Sequence, residues 1–251
     1  MKKMLLMAFL AIGMTTNAET IVDDDSDEKS VSKSLIDLGQ GKDENDRWTM
    51  HAFLGVNVPT GAPEDMKFAP FRSWEFNWTI LQYDYTPKNW KTTFSVGLGF
   101  NWRAYTLKGH DQYFVKYSDG WISTVSTKVI RGGEGVYDIL GYDTKNLSSN
   151  IHTTSLSFPL LVRQRFHKNF AVSVGAQINW NFWGRIHTYY EYDDHQIDDY
   201  TKKIGQRDIS VDVLGIVDFG KIGIYCKYSP MSVLEKDRGP KFQSLAFGIY
   251  L

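Results

Sequence analysis

The chain of 251 residues has a single cysteine, Cys226, so no disulfide can form within it. Past the first few residues it has no apolar run long enough for a membrane-spanning helix. Neither sign of charge dominates: 28 Lys and Arg stand against 29 Asp and Glu, a formal net charge of −1. That balance gives no sign of nucleic-acid binding. Catalytic signatures are missing as well. No Gly-x-Ser-x-Gly elbow occurs. His152 and Ser155, the nearest approach to a hydrolase pair, sit three apart on an extended segment and point to opposite faces. The six histidines, His51, His110, His152, His167, His187 and His195, show no helical metal spacing. The acidic run at residues 23–28 lacks the spaced ligands and the glycine of a calcium loop. These absences predict no enzyme, no cofactor and no metal.

What is present is alternation. In residues 170–186, Phe170, Val172, Val174, Ala176, Ile178, Trp180 and Phe182 fall on one face, with Ala171, Ser173, Gly175, Gln177, Asn179 and Asn181 on the other. Period-2 alternation held this long, apolar against small and polar, suits a strand with lipid on one side and a polar lumen on the other. Residues 90–104 repeat it with Trp90, Phe94, Val96, Leu98, Phe100 and Trp102 in phase. Further segments read the same way at 48–58, 73–85, 151–166, 207–219, 222–229 and 241–251. In 73–85 the phase blurs at Leu81 and Tyr83, where a bulge or the membrane boundary is expected. Pro159 lies inside a segment and predicts a bulge or an unpaired ladder position. The 21 glycines and 15% aromatics fit a small-residue interior and aromatic girdles, with Trp74, Trp90, Trp102, Trp180 and Trp183 as girdle candidates.

The segments number eight, and their connections sort. Long ones follow the first, third, fifth and seventh; very short ones follow the second, fourth and sixth. Outer-membrane barrels have short periplasmic turns and long outer loops. The predicted fold is therefore all-β: an eight-stranded antiparallel transmembrane β-barrel, an up-and-down meander over residues 48–251. Residues 1–18 read as a signal peptide, with Lys2 and Lys3 before an apolar core and Ala18 at a cleavage site. Residues 19–47 read as an acidic, disordered periplasmic tail.

Lumen-facing charges are expected to form a paired network that plugs the barrel: Glu75, Arg103, Arg163, Arg165, Arg185, Asp208 and Asp212. An eight-stranded interior is only wide enough for side chains to fill it. Any surface ligand would meet the two longest connections, 108–149 and 187–206, through Tyr113, Tyr117, Trp121, Tyr189, Tyr190 and Tyr192. Within the first, residues 113–117 and 121–130 are expected to form a hairpin above the barrel.

Several stretches together resemble the PorT-like outer-membrane β-barrel proteins of Bacteroidota. They are the signal, the segment Ser155-Leu156-Ser157-Phe158-Pro159-Leu160-Leu161-Val162-Arg163, the strand at 170–180 with its Gly175, and the ending Ala246-Phe247-Gly248-Ile249-Tyr250-Leu251. The resemblance covers residues 48–251. It implies a place in the cell outer membrane, a barrel of about eight strands and no common reaction; one branch of the family assists protein secretion. The expected role is structural or surface-binding, without catalysis. The alternatives are a small pore or an accessory of a secretion system. The expected partners are outer-membrane lipid, the barrel-assembly machinery, periplasmic chaperones and an unknown surface ligand or secretion partner.

Overall fold

In the computed structural model, the described residues are 35–40, 45–126, 145–192, 195–220 and 222–251. The expected signal peptide lies outside them. The strands are β1 Ile36–Gln40, β2 Asp46–Thr60, β3 Trp74–Tyr85, β4 Thr92–Thr106, β5 Gln112–Lys116, β6 Ile122–Ser126, β7 Lys145–His167, β8 Phe170–Tyr192, β9 His195–Lys202, β10 Ile209–Phe219, β11 Ile222–Ser229 and β12 Gln243–Tyr250. Eight of them close a ring in the order β2-β3-β4-β7-β8-β10-β11-β12, every neighbour antiparallel. The seam is β12 on β2, from Gln243 opposite Thr60 to Tyr250 opposite Phe53. Leu251 extends it by two hydrogen bonds with Ala52, of 3.0 and 2.9 Å.

The alternation read in the sequence sorts onto two surfaces. Val174 in β8, Val213 in β10 and Ile224 in β11 are each 59% exposed on the outer wall. Ser173, Gln177, Asn179 and Asp212 in the same strands face inward and are buried. Leu98, Leu160, Phe247 and Ile249 continue the outer band around the ring. Cys226 lies on it too. A continuous apolar belt on the outside of a barrel with a polar inside is the inverse of a water-soluble protein, and hydrocarbon is the solvent that removes its cost.

Irregularities fall where the pattern changes. Between Thr79 and Leu81 the β3 register shifts by a residue, the bulge expected from the blurred phase. A second bulge lies in β8: Thr154 pairs with Trp183 but Leu156 pairs with Trp180, so β8 carries one extra residue. Beyond it the faces of β8 exchange. Phe182 points outward, but Ile186 is buried inside and Trp183, Arg185 and His187 take the outer face. Pro159 makes no bulge and is unpaired toward β4 only, since on its other side it lies opposite Gln177 of β8. The β4–β7 ladder skips it between the pairs Val96–Leu160 and Gly99–Ser157 with the register unchanged.

Two expected boundaries are corrected. Residues 187–206 are not a polar loop, since β8 runs on to Tyr192 and β9 folds back along it from His195. Ile186, Thr188, Tyr189 and Tyr190 are good strand formers, and the mid-chain acids only mark the hairpin's turn. β7 likewise starts at Lys145, so β7, β8 and β9 rise above the ring as a three-stranded fin. The tail 19–47 is not wholly outside the fold. β1, at Ile36–Gln40, pairs with residues 47–50 of β2, on the edge that β12 leaves free below Leu251. An open edge is a stretch of unpaired donors and acceptors, and β1 covers it.

Candidate functional site

The lumen is closed at two levels. The middle level holds four charged side chains, all buried: Glu75, Arg103, Asp212 and Lys227. Glu75 and Arg103 face each other across β3 and β4. Arg103 Nε donates to Glu75 Oε1 at 2.9 Å, and its Nη2 donates to Asp212 Oδ2. From the far wall, Lys227 Nζ donates to Glu75 Oε1 at 2.9 Å, and the Tyr225 hydroxyl donates to Oε2 at 3.2 Å. Arg103 Nη1 donates to Ser229 Oγ at 3.1 Å, the Ser229 hydroxyl donates to Asp212 Oδ1, and Asn179 Nδ2 donates to Asp212 Oδ2 at 2.8 Å. Two acids meet two bases, so the network is neutral and each charge is held by hydrogen bonds as well as by its opposite. Gly55 makes room for it: a methyl there would overlap the Tyr225 hydroxyl.

Below it lies a polar layer in which Asn77 Nδ2 donates to Gln177 Oε1 at 2.8 Å and Gln177 Nε2 donates to Asn179 Oδ1 at 2.6 Å. At the short-turn end Arg163 Nη2 meets Asp218 Oδ2 at 3.1 Å. Arg165 lies half-buried on the same face of β7 as Arg163.

The upper level is apolar. Met66, Tyr105, Leu107, Phe114, Ile122, Ile151, Ile186, Ile204, Leu234 and Phe242 form one buried cluster, with Phe68 packed against it. These residues come from the end of β4, the β2–β3 connection, the β5–β6 hairpin, the fin with the segment after β9, and the β11–β12 connection, which together cap the barrel. Between cap and network a cleft of about 20 Å³ touches Arg103, Asn181 and Arg207, room for about one water.

Of the charges expected to line the lumen, Glu75, Arg103 and Asp212 come together, and Arg163 and Arg165 stand at the short-turn end. Arg185 and Asp208 are corrections. Arg185 faces outward because the β8 bulge exchanges the faces. Asp208 precedes β10 and is exposed. Sequence reasoning missed Lys227 and Asp218, although alternation with the outward Ile224 and Cys226 marks Lys227 as inward.

The surface aromatics form two groups rather than one. Tyr117 and Trp121 are exposed at the tip of the β5–β6 hairpin, joined by a 2.8 Å hydrogen bond from the Tyr117 N–H to the Trp121 carbonyl; Tyr113 is half-buried in β5. Tyr189 and Tyr190 lie half-buried in the upper fin, where the Tyr189 hydroxyl donates to Glu191 Oε1 at 2.7 Å, and Tyr192 ends β8. Lys116 ties the hairpin to the base of the fin, its Nζ donating to the Lys202 carbonyl at 3.2 Å. No group of three or more His, Cys, Asp or Glu could hold a metal ion among the described residues.

No family model matches the sequence, and no curated protein is similar to it. Among solved structures, the chain is similar to Ail, the attachment invasion locus protein of Yersinia pestis. The identity is 9% over 82% of this chain and 99% of that one, at a TM-score of 0.32. A superposition that loose transfers no function.

Proposed function

We propose that the chain is an outer-membrane β-barrel whose role is structural or surface-binding, exerted through its long loops and without catalysis. The observation that carries this is the double closure of the lumen. With a charge network at mid-height and an apolar cap above it, a partner can engage only the outside of the molecule. The apolar belt supports the membrane, and the sorting of long loops to one end supports an outward-facing fin and hairpin. Outer-membrane lipid, the barrel-assembly machinery and periplasmic chaperones are then its partners during biogenesis. Tyr117 and Trp121 are the best-placed contact residues, since exposed rings offer large contact area at low entropy cost.

The test compares cells displaying the wild type with cells displaying Tyr117→Ala/Trp121→Ala, measured for adherence to protein-coated and glycan-coated surfaces. Adherence to one coating should fall by about tenfold while the heat-dependent gel shift of the folded barrel stays the same. Equal adherence by the two would sink the reading. A pore is the second reading. In planar bilayers the wild type is expected to give no discrete conductance steps, and regular steps would favour the pore instead. The role of a secretion accessory rests on the PorT-like resemblance alone, and co-purification with a membrane complex would favour it.

A further inference from the structure

The outward face at the base of the fin is chemically unlike the rest of the wall. Trp180 and Phe182, 54% and 49% exposed, end the apolar belt on β8. Arg185 follows Phe182 by three residues, about 10 Å along the strand. Its guanidinium lies 4.9 Å from the centre of the Trp183 ring and 5.0 Å from that of Tyr200 on β9. His187 stacks on Tyr200 at 4.5 Å between centroids and lies 6.4 Å from His152 on β7, which in turn lies 6.2 Å from Trp74. Asp198 on β9 is engaged by His187 Nε2 at 2.7 Å. Arg185 itself has no carboxylate partner among the described residues, and its Nε is buried without a hydrogen-bond partner.

A guanidinium fixed between two rings has lost the freedom of its stem, so its fork is already oriented for a planar, two-pronged acceptor. Its height matters equally. A site just above the hydrocarbon faces the layer where lipid headgroups carry their phosphates. A soluble anion would have no reason to sit on the outside of the barrel at that level.

We infer that Arg185, held by Trp183 and Tyr200 beside His187 and His152, is a binding site for the phosphate of a lipid headgroup in the adjoining leaflet. The phosphate takes two N–H bonds from the guanidinium, the arrangement in which Arg binds phosphate most strongly. The lipid's acyl chains then lie along the belt below, over Phe182 and Trp180. An arginine that merely reaches toward the interface would do so without preference among headgroups.

The inference rests on the membrane reading above, and the experiment separates the two. The folded protein is placed in phosphatidylcholine nanodiscs containing a minority of phosphatidic acid, and the lipids retained are counted by native mass spectrometry. The wild type is expected to keep phosphatidic acid in preference to phosphatidylcholine. Arg185→Gln should lower that preference about tenfold, and Arg185→Lys, which keeps the charge but not the fork, should fall between. Lys168→Gln, the same charge change at the short turn between β7 and β8, should leave it unaltered. If Arg185→Gln does not fold, Arg185→Lys decides, and retention equal to the wild type overturns the site. Displacement of the lipid by inorganic phosphate would reassign the site to a soluble anion and overturn it too. Insertion into the discs without a headgroup preference removes this inference alone, whereas failure of the wild type to insert removes the membrane reading with it.

Discussion

Replacing Glu75 by Leu is expected to lower the stability of the barrel by about 3–5 kcal/mol, the cost of leaving buried charge without its partner. Glu75 is the hub of the lumen. It accepts hydrogen bonds from Arg103 on β4 and from Lys227 and Tyr225 on β11, and so joins two walls of the ring. Its loss leaves the Lys227 ammonium buried with no carboxylate bonded to it. The measurement is the urea concentration at which the heat-shifted band disappears. The double variant Glu75→Leu/Lys227→Leu restores neutrality and keeps the Arg103–Asp212 pair, so it should be more stable than Glu75→Leu alone. A double variant as weak as the single would mean that shape, not charge balance, sets the cost.

Gly175→Ala should be about as damaging, at roughly 3 kcal/mol or more, for a reason unrelated to charge. A methyl on Gly175 would overlap the backbone carbonyl oxygen of Leu160 on the neighbouring strand. Backbone cannot move aside as a flexible side chain can, so the β7–β8 ladder would have to open at mid-membrane. Gly215→Ala is the control. It too lies in a ring strand, but nothing stands within 4 Å of the methyl it would gain. That variant should match the wild type within about 0.5 kcal/mol in the same urea series. Equal sensitivity at the two positions would show that strand propensity governs both.

The ring was legible in the sequence because every lipid-facing strand obeys the same two-residue rule. Val96, Leu98 and Phe100 define β4 without reference to any other part of the chain. The blurred phase at Leu81 and Tyr83 announced its bulge for the same reason. Arg185 was assigned to the wrong face because the second bulge leaves no mark in the residues themselves: Trp180, Phe182 and Trp183 are all apolar, so the exchange of faces is visible only in the partner strand's register. Lys227 was overlooked because β11 is short and outwardly uniform, and its one inward charge matters only once Glu75 is seen opposite. The apolar cap could not be read at all. Met66, Phe114, Ile186 and Phe242 come from parts of the chain far apart in sequence, and no periodicity links them.

The seam has a consequence for how the molecule is made. β2 can complete its pairing only with β12, the last of the eight ring strands to be synthesised. Until then the first ring strand waits with one edge bare, and β1 covers only its lowest part. Closure is thus a late event that joins the first and last ring strands after every strand between them has been delivered. Any truncation that removes β12 discards the clasp rather than one stave in eight, and the product is an open sheet with two sticky margins in place of a smaller barrel.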